Sequence, residues 1–257
     1  MIRRLDGRVA LITGASSEIG SATAMEFAKE GAVGIALHYN RNRGQVERIL
    51  REMKKVGTDG VALKADISRP GEAGSLVKMT VARFGRLDAL VCLAGYPFER
   101  ENWFGKFERL TPEQLKKPLH VDLLGNAYVI QSAIPVMRLQ HRGKIVLIGS
   151  TPALTGDSVG ISYLVAKAGI LAMTRALAQY LGPSNINVNA LTLGSIDTRS
   201  TLGHLAASEK KQLAAEAALK RFGRPQEIAR MILFLTSDDS DFITGQSIVA
   251  DGGYAMK

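Results

Sequence analysis

The chain has 257 residues, of which 46% are hydrophobic and 22% are charged. This ordinary globular composition excludes a disordered, collagen-like or coiled-coil chain, and a single cysteine, Cys92, excludes an internal disulfide and is typical of a reducing compartment. Lysine and arginine outnumber aspartate and glutamate by 33 to 24, and the resulting charge of +9 indicates either a solvated basic surface or an anionic ligand or partner.

Short apolar runs alternate with helical patterns along the whole chain. Seven runs are predicted to be strands, at Val9–Thr13, 33–38, 61–65, 87–93, 144–148, Ile186–Leu193 and Ser247–Ala250. Helices are predicted between them, at 19–31, 42–56, 71–84, from Thr111 onward, at 158–181 and at 228–235. This order predicts an α/β fold, a doubly wound (Rossmann) sheet of seven mainly parallel strands with helices on both faces. Since no linker or repeat interrupts the pattern, residues 1–257 are predicted to form one domain.

A glycine-rich turn joins the first predicted strand to the first helix. It reads Thr13-Gly14-Ala15-Ser16-Ser17-Glu18-Ile19-Gly20. Such a turn lets the backbone approach a pyrophosphate, and the helix N-terminus supplies free N–H groups and a positive dipole end. Two glycines alone also fit an ordinary strand-to-helix loop, so the rest of the chain has to decide.

Three further residues form a pattern that suits proton transfer. Tyr163 and Lys167 are four residues apart in a helical segment and therefore share a face. The ammonium group favours the phenolate, which makes Tyr163 a general acid/base for a carbonyl or alcohol oxygen. Ser150 follows the fifth strand and can hold that oxygen while negative charge develops on it.

Taken together, these segments resemble the short-chain dehydrogenase/reductase family, closest in pattern to its 3-oxoacyl-[acyl-carrier-protein] reductases. The matching segments, in chain order, are the glycine turn, Asp66-Ile67, Ala94-Gly95, Ser150, Tyr163 with Lys167, Gly223-Arg224-Pro225 and Asp251-Gly252-Gly253. They span nearly the whole chain. The resemblance implies a bound nicotinamide dinucleotide and reversible hydride transfer between the nicotinamide and a carbonyl or secondary alcohol. No metal site is predicted.

The same resemblance assigns the residues that hold the dinucleotide. They are Gly14, Ser16, Ser17, Ile19, Gly20, Tyr39, Asn40, Arg41, Asp66, Ile67, Ala94, Gly95, Tyr163, Lys167, Ile196 and Thr198. The second strand ends without the acidic residue that holds the ribose of NAD, and Arg41 can hold a 2′-phosphate instead. NADP(H) is therefore the expected cofactor, with NAD(H) as the alternative if Arg41 only belongs to the basic face of the next helix. Asp66 is expected to bond the adenine amine, unless it merely caps a helix.

Three sites in the dinucleotide-binding and catalytic motifs depart from the family pattern. Glu18 replaces a glycine beside the phosphates; we expect its side chain to point outward and to weaken cofactor binding somewhat. Cys92-Leu93 replaces two asparagines. Asp122 replaces the catalytic asparagine, whose backbone carbonyl holds a relay water in the family. We expect this relay to be retained, so that Asp122 acts with Ser150, Tyr163 and Lys167; the alternative is that the carboxylate acts directly on Lys167. These departures leave open a second function, a dinucleotide-binding but catalytically weak sensor or regulatory protein.

The remaining segments bear on substrate, assembly and location. The resemblance places a substrate lid at about 195–222, and the aromatic-rich segment 96–110 is expected to shape the pocket, with Trp103 and Phe104 either anchoring the lid or packing under a loop. The substrate is expected to be a small carbonyl or alcohol, with a carrier-linked 3-oxoacyl thioester among the candidates. The apolar helix with Tyr163 and the family habit predict a homotetramer. No stretch reaches about 18 apolar residues, no signal segment is visible, and basic residues are mixed with glutamate, so a cytoplasmic protein that binds neither membrane nor nucleic acid is expected.

Overall fold

The computed structural model describes residues 3–256. The strands are β1 (Val9–Thr13), β2 (Gly34–Tyr39), β3 (Asp59–Lys64), β4 (Ala89–Cys92), β5 (Gly143–Ser150), β6 (Ile186–Leu193) and β7 (Ser247–Ala250). The α-helices are α1 (Glu18–Lys29), α2 (Arg43–Lys55), α3 (Pro70–Phe84), α4 (Arg100–Phe104), α5 (Pro112–Pro118), α6 (Asn126–Leu139), α7 (Pro152–Thr155), α8 (Ile161–Leu181), α9 (Arg199–Leu202), α10 (Ala207–Glu216) and α11 (Pro225–Thr236).

The seven strands form one sheet in the order β3-β2-β1-β4-β5-β6-β7. Every neighbouring pair is parallel, which confirms the predicted doubly wound sheet. The strand order reverses between β1 and β4, where the connections leave toward opposite faces. Ligands of such sheets bind beyond the carboxyl ends of the strands at this point.

Successive strand residues point into two apolar cores, one on each face. Ile12 and Leu37 belong to the core that α1, α2 and α11 cover. Leu11 and Leu90 belong to the core that α3, α6 and α8 cover. Because both faces are covered, the central strands are continuously apolar, which is why the sequence predicted them well.

The helix that starts at Thr111 differs from its prediction. Thr111 caps it in a capping box with Gln114, but the regular helix ends at Pro118. A wider π-helical turn, Leu119–Gly125, follows before α6 begins. Such bulges often occur at functional sites, and this one contains Asp122.

Two other segments also differ from expectation. The helix with Tyr163 begins at Ile161 rather than at residue 158, because Gly160 is left-handed at φ +64° and a Cβ there would lie 3.1 Å from the Trp103 ring. In the predicted lid segment, the run of Ala, Lys and Glu predicts a single helix, whereas the structure contains two, α9 and α10.

One helical stretch, Ile161–Ser184, has the length and composition of a membrane span, contrary to the expectation that no stretch would. In the structure this stretch contains α8, which packs against β5 and β6 in the core. Core helices of globular domains commonly meet the same criterion, and this one is explained by its burial on the sheet.

Candidate active site

The glycine turn packs tightly against the neighbouring strand. Gly14 has φ +64°, and a Cβ there would lie 2.8 Å from the Ala94 backbone nitrogen. A Cβ on Gly20 would lie 2.6 Å from the Gly14 carbonyl oxygen. Ser17 caps α1 by accepting a hydrogen bond from the Gly20 N–H at 3.0 Å. Both glycines are therefore required by the shape of the turn itself.

The first turn of α1 and the residues before it contain backbone N–H groups without a hydrogen-bond acceptor. Within residues 3–256, the backbone N–H groups of Ser16, Glu18 and Ile19 have no hydrogen-bond acceptor. Orphan N–H groups at a helix N-terminus form a ready anion site. The described residues of the turn thus fit a pyrophosphate.

His38 is a structural support of this turn that the sequence reasoning missed. The Gly14 N–H donates to His38 Nδ1 at 3.1 Å, and the other ring nitrogen lies 3.1 Å from the Ala65 carbonyl oxygen. Burial lowers the pKa of His38, although the hydrogen bond to Ala65 and the nearby Asp66 oppose this shift. A neutral ring therefore links the ends of β1, β2 and β3. A lone histidine in an apolar strand was the only signal.

The carboxyl edge of β2 and β3 brings the predicted adenosine-side residues together. Tyr39 is buried, whereas Asn40 and Arg41 are exposed. Asp66 accepts hydrogen bonds from both the N–H and the hydroxyl of Ser68, at 3.0 and 2.7 Å. These bonds, together with Arg69 and Arg41, lower the pKa of Asp66 against the opposing effect of burial, so the carboxylate stays charged. Ile67 is buried directly behind it.

Lys167 is held at the base of the cleft by a buried carboxylate. Its Nζ lies 2.7 Å from Asp122 Oδ1 and donates to the Ile148 carbonyl at 3.1 Å. The side chains of Asp122 and Lys167 are only 1% and 7% exposed. Burial acts against the ammonium charge, but Asp122 and Tyr163 outweigh it and raise the pKa of Lys167. The structure therefore brings Asp122 and Lys167 into direct contact.

The surroundings of Asp122 differ from the expected water relay. The Asn126 amide donates to the Asp122 backbone carbonyl at 2.7 Å and to the Ala94 carbonyl at 3.3 Å. Asp122 Oδ2 accepts from the Tyr96 N–H at 2.8 Å. The Asp122 carbonyl that was expected to hold a relay water accepts this one bond from Asn126 and keeps a second lone pair, while the carboxylate contacts Lys167 directly.

Tyr163 and Ser150 both line a cavity at this edge of the sheet, which has a volume of about 630 Å³. Lys167 Nζ lies 5.4 Å from the centre of the Tyr163 ring. Ser150 stands at the end of β5, as predicted. The structure thus places a hydroxyl and a phenol in the lining of the same cavity, with an ammonium group over the phenol ring.

The start of the predicted lid is tied down at its base. Ile196 and Thr198 are buried, and Ile196 forms an isolated parallel bridge with Gly223. The Thr198 hydroxyl caps α9 by accepting from the Thr201 N–H at 3.2 Å. Most other residues of the segment are at least partly exposed.

Glu18 does not simply point into solvent as expected. Its Oε1 accepts a hydrogen bond from the Arg199 N–H at 3.2 Å and lies 3.9 Å from Arg199 Nε. The Glu18 side chain is 40% exposed. It therefore connects the glycine turn to the segment that follows β6.

Comparisons with known proteins agree with this geometry. Residues 14–255 match the family model described as "Enoyl-(Acyl carrier protein) reductase". The 3-oxoacyl-[acyl-carrier-protein] reductase FabG of Thermotoga maritima is 34% identical over 98% of this chain and 100% of its own length. The 7alpha-hydroxysteroid dehydrogenase of Bacteroides fragilis is 31% identical over 99% and 97%. A solved double mutant of a Serratia marcescens short-chain dehydrogenase/reductase superposes with a TM-score of 0.88 at 29% identity, covering 98% of this chain and 100% of that one.

This protein is a short-chain dehydrogenase/reductase.

As a member of this family it is an oxidoreductase that acts on CH–OH or C=O groups and binds a nicotinamide dinucleotide. The described residues suit that cofactor, because the orphan N–H groups of α1 lie at the topological switch point beside Gly14.

Cys92 lies in the core, where burial raises the pKa of its thiol to about 12, against a smaller opposing effect of Lys167. At the three sites that depart from the family pattern, Cys92-Leu93 makes the end of β4 apolar, whereas Glu18 and Asp122 add carboxylates to the cleft.

Proposed function

We propose that the protein is an NADP(H)-dependent oxidoreductase that transfers hydride between the nicotinamide and a ketone or secondary alcohol. The observation that carries this proposal is that Ser150 and Tyr163 line the same cavity, with Lys167 Nζ 5.4 Å from the centre of the phenol ring. A 3-oxoacyl thioester, the substrate named for the Thermotoga relative, is one candidate within this class.

The catalytic residues have distinct roles in this proposal. In reduction, the Ser150 hydroxyl donates to the carbonyl oxygen and stabilises the charge that develops there. Tyr163 delivers a proton to the same oxygen, and in oxidation it removes that proton. Lys167 favours the phenolate and is itself held in place by Asp122 and the Ile148 carbonyl. The bound dinucleotide supplies or accepts the hydride.

The dinucleotide is proposed to lie along the carboxyl edge of the sheet. Its pyrophosphate lies at the turn that contains Gly14, Ser16, Ser17, Ile19 and Gly20. The other proposed contacts are Tyr39, Asn40, Arg41, Asp66, Ile67, Ala94, Gly95, Tyr163, Lys167, Ile196 and Thr198. What supports this assignment is that these residues all belong to the strand ends, or to segments that follow them, along one edge of the sheet.

Preference for NADP(H) rests on Arg41. Arg41 is exposed and, within residues 3–256, forms no ion pair, whereas the neighbouring Arg43 is bonded to Glu47 at 2.7 Å. A free guanidinium at the end of β2 suits a 2′-phosphate. We expect Arg41→Ala to raise the KM for NADPH about tenfold and leave that for NADH unchanged, because a charge-assisted contact contributes on the order of 1.5 kcal/mol.

Steady-state kinetics with both cofactors test this preference, with Arg43→Ala as the matched control. Arg43→Ala is expected to change the KM for NADPH by less than twofold. Equal efficiency of the unaltered enzyme with NADH and NADPH would refute the preference.

The chemistry itself is tested by Tyr163→Phe. NADPH consumption over a panel of ketones is expected to fall at least a thousandfold, since the proton donor is lost, while NADPH binding measured by fluorescence stays within about twofold. The second candidate function, a dinucleotide-binding sensor, is favoured by the buried Asp122 carboxylate in the catalytic site. Tight NADPH binding without turnover of any ketone would establish that function instead.

We further propose that residues 1–257 act as one dinucleotide-binding and catalytic domain with a substrate lid at about 195–222. A homotetramer in the cytoplasm is proposed as well. Val165, Ala168, Ala172 and Ala176 form an exposed stripe of small apolar residues along α8, which suits helix–helix packing between subunits. Light scattering on the purified protein measures the assembly directly.

A further inference from the structure

The cavity beside Tyr163 has an aromatic wall that is held in place. The Trp103 ring lies 5.1 Å from the Tyr163 ring, and the Phe98 ring lies 5.7 Å from Trp103 and stacks on His204 at 4.9 Å. The Gly160 N–H donates to the Trp103 carbonyl at 2.8 Å. Because Gly160 has no side chain, the indole packs directly on the start of α8. The reacting phenol is thus bordered by an apolar surface of tilted aromatic rings, with Trp103 at 50° to Tyr163 and at 47° to Phe98.

The charged residues around the same cavity are mostly acidic. Five carboxylates line it, those of Glu99, Asp157, Glu209, Glu216 and Asp251. Three of them accept backbone hydrogen bonds: Asp157 from the Val159 N–H, Glu209 from the Ala206 N–H, and Asp251 from the N–H groups of Gly253 and Ala255. All the same, the cavity has a negative lining in a protein whose overall charge is +9.

The cations near the cavity already have partners. Arg221 lines the cavity, but its guanidinium binds Glu227 through two hydrogen bonds of 2.8 and 2.7 Å. Lys167 is paired with Asp122. Arg100 lies over the Phe104 ring at 5.0 Å and does not line the cavity. No arginine or lysine among residues 3–256 is therefore both at the cavity and free to bind a substrate anion.

Glu99 is the carboxylate best placed to affect a substrate beside the aromatic wall. It follows Phe98 in the chain and lines the cavity with it. Burial and the neighbouring Glu99 together raise the pKa of Tyr96 to about 12, against a smaller opposing effect of Asn102. The negative potential of Glu99 thus reaches the inner side of the segment.

We propose that this cavity takes aromatic ketones, and the corresponding secondary alcohols, that carry no negative charge, and that it favours a cationic substituent over a carboxylate. This inference rests on the proposed function, and it names the substrate class of that same site. An aromatic ring stacks on the Phe98–Trp103 wall, and an ammonium group gains from both the ring faces and Glu99. A carboxylate meets like charge and finds no free cation, so it is rejected.

Three aryl methyl ketones test the charge preference. They differ only at the end of a two-methylene arm on the ring, which bears a carboxylate, a primary amide or a trimethylammonium group, so that the reactivity of the carbonyl is unchanged. We expect kcat/KM with NADPH to be at least tenfold higher for the amide and the trimethylammonium ketone than for the carboxylate. A neutral 3-oxoacyl N-acetylcysteamine thioester is included, and it is expected to react at least fivefold less efficiently than the amide ketone.

A second readout does not depend on turnover. Trp103 is the only tryptophan of the chain and lines the cavity, so its fluorescence reports occupancy. Titrations of each ketone are made without cofactor and with NADP⁺, which has no hydride to give. The amide and trimethylammonium ketones are expected to have lower dissociation constants than the carboxylate ketone, in the same order as for kcat/KM. If the order holds but no ketone is turned over, the proposed function fails and the assignment of the cavity stands.

Two matched variants identify the carboxylate responsible. Glu99→Gln is expected to lower the ratio of kcat/KM for the trimethylammonium ketone to kcat/KM for the carboxylate ketone at least threefold. Most of this change should come from a higher kcat/KM for the carboxylate ketone. Glu108→Gln removes an exposed carboxylate of the same segment that does not line the cavity, and it should leave the ratio within 1.5-fold. Equal or better binding of the carboxylate ketone, a preference for the thioester, or equal effects of the two variants would each overturn the proposal.

Discussion

The rim and the base of the cofactor cleft each contain a carboxylate where the family pattern has an uncharged residue, but the two carboxylates have different surroundings. At the rim, Glu18 is 40% exposed and its partner Arg199 is 98% exposed. At the base, Asp122 and Lys167 are 1% and 7% exposed and 2.7 Å apart. Solvent and salt screen the first pair, whereas the second lies in a medium of low effective dielectric. The same kind of substitution should therefore have a small effect at the rim and a large effect at the base.

The same contrast explains how the base tolerates its carboxylate. An isolated Asp122 there would be costly to bury, but Lys167 supplies the opposite charge and the Tyr96 N–H a hydrogen bond. Asn126 at the same time donates a hydrogen bond to the Asp122 carbonyl. Asp122 and Lys167 are thus a positioning unit behind Tyr163, while Glu18 is a contact between two surface segments.

The largest effect is expected from Asp122→Ala. This change leaves the Lys167 ammonium buried with only the Ile148 carbonyl as a partner, and removing one member of a buried pair typically costs about 3–5 kcal/mol. Urea unfolding at fixed protein concentration should show a loss of about 3 kcal/mol. Glu18→Ala is the control, with an expected loss below about 0.5 kcal/mol. Equal losses in the free energy of unfolding would show that the buried carboxylate of Asp122 stabilises the protein no more than the exposed one of Glu18.

The second prediction concerns the pH dependence of the rate in Asp122→Asn, which keeps the shape of the side chain and removes its charge. Asp122 raises the pKa of Lys167 against the opposing effect of burial. Without the carboxylate the pKa of Lys167 falls, so the high-pH decline in the rate of alcohol oxidation, where the Lys167 ammonium is lost, should begin at a lower pH. In ketone reduction the rate should begin to decline at a correspondingly lower pH.

The pH–rate profiles of kcat and kcat/KM in both directions measure this shift. Glu18→Gln is the control and should leave the midpoint unchanged within about 0.2 units, because its charge is exposed and lies on another segment. An unchanged midpoint in Asp122→Asn would mean that Asp122 only supports the structure. A large rise in kcat at neutral pH would show that the carboxylate impairs this enzyme.

Much of the base could be predicted from sequence, because its residues sit on regular elements. The run 186–193 is continuously apolar and proved to be β6 with the predicted bounds, and Tyr163 and Lys167 share one face of α8 since four residues make about one helical turn. Direct pairing of Asp122 with Lys167 could only be raised as an alternative. This pairing depends on the π-helical turn, which no local sequence pattern indicated.

Long-range contacts were beyond the reach of the sequence. Glu18 and Arg199 are 181 residues apart, and their contact depends on how the segment after β6 folds back over the glycine turn. His38 reads as one polar residue in a strand until β1 and β3 are placed on either side of it. Trp103 was predicted either to anchor a lid or to pack under a loop, and the structure packs it on Gly160 and Tyr163.

The smallest expected effect is at the rim and concerns Glu18→Gly. Glu18 adds a negative charge beside the orphan N–H groups of α1, where the pyrophosphate is proposed to bind, and its removal should tighten NADPH binding about threefold at low salt. Since the charge is exposed, the gain should shrink below 1.5-fold at about 0.5 M salt, where the Debye length is a few ångströms. Energy transfer from Trp103 to NADPH measures the dissociation constants at low and at high salt.

Glu18→Gln is the control that separates the charge of Glu18 from its contact with Arg199, because the amide oxygen of glutamine can still accept the Arg199 N–H. If Glu18→Gln tightens NADPH binding as much as Glu18→Gly does, the charge is the cause. Unchanged affinity of Glu18→Gly at low salt would show that Glu18 does not disturb the phosphates, and the contact with Arg199 would then be the only role left for it.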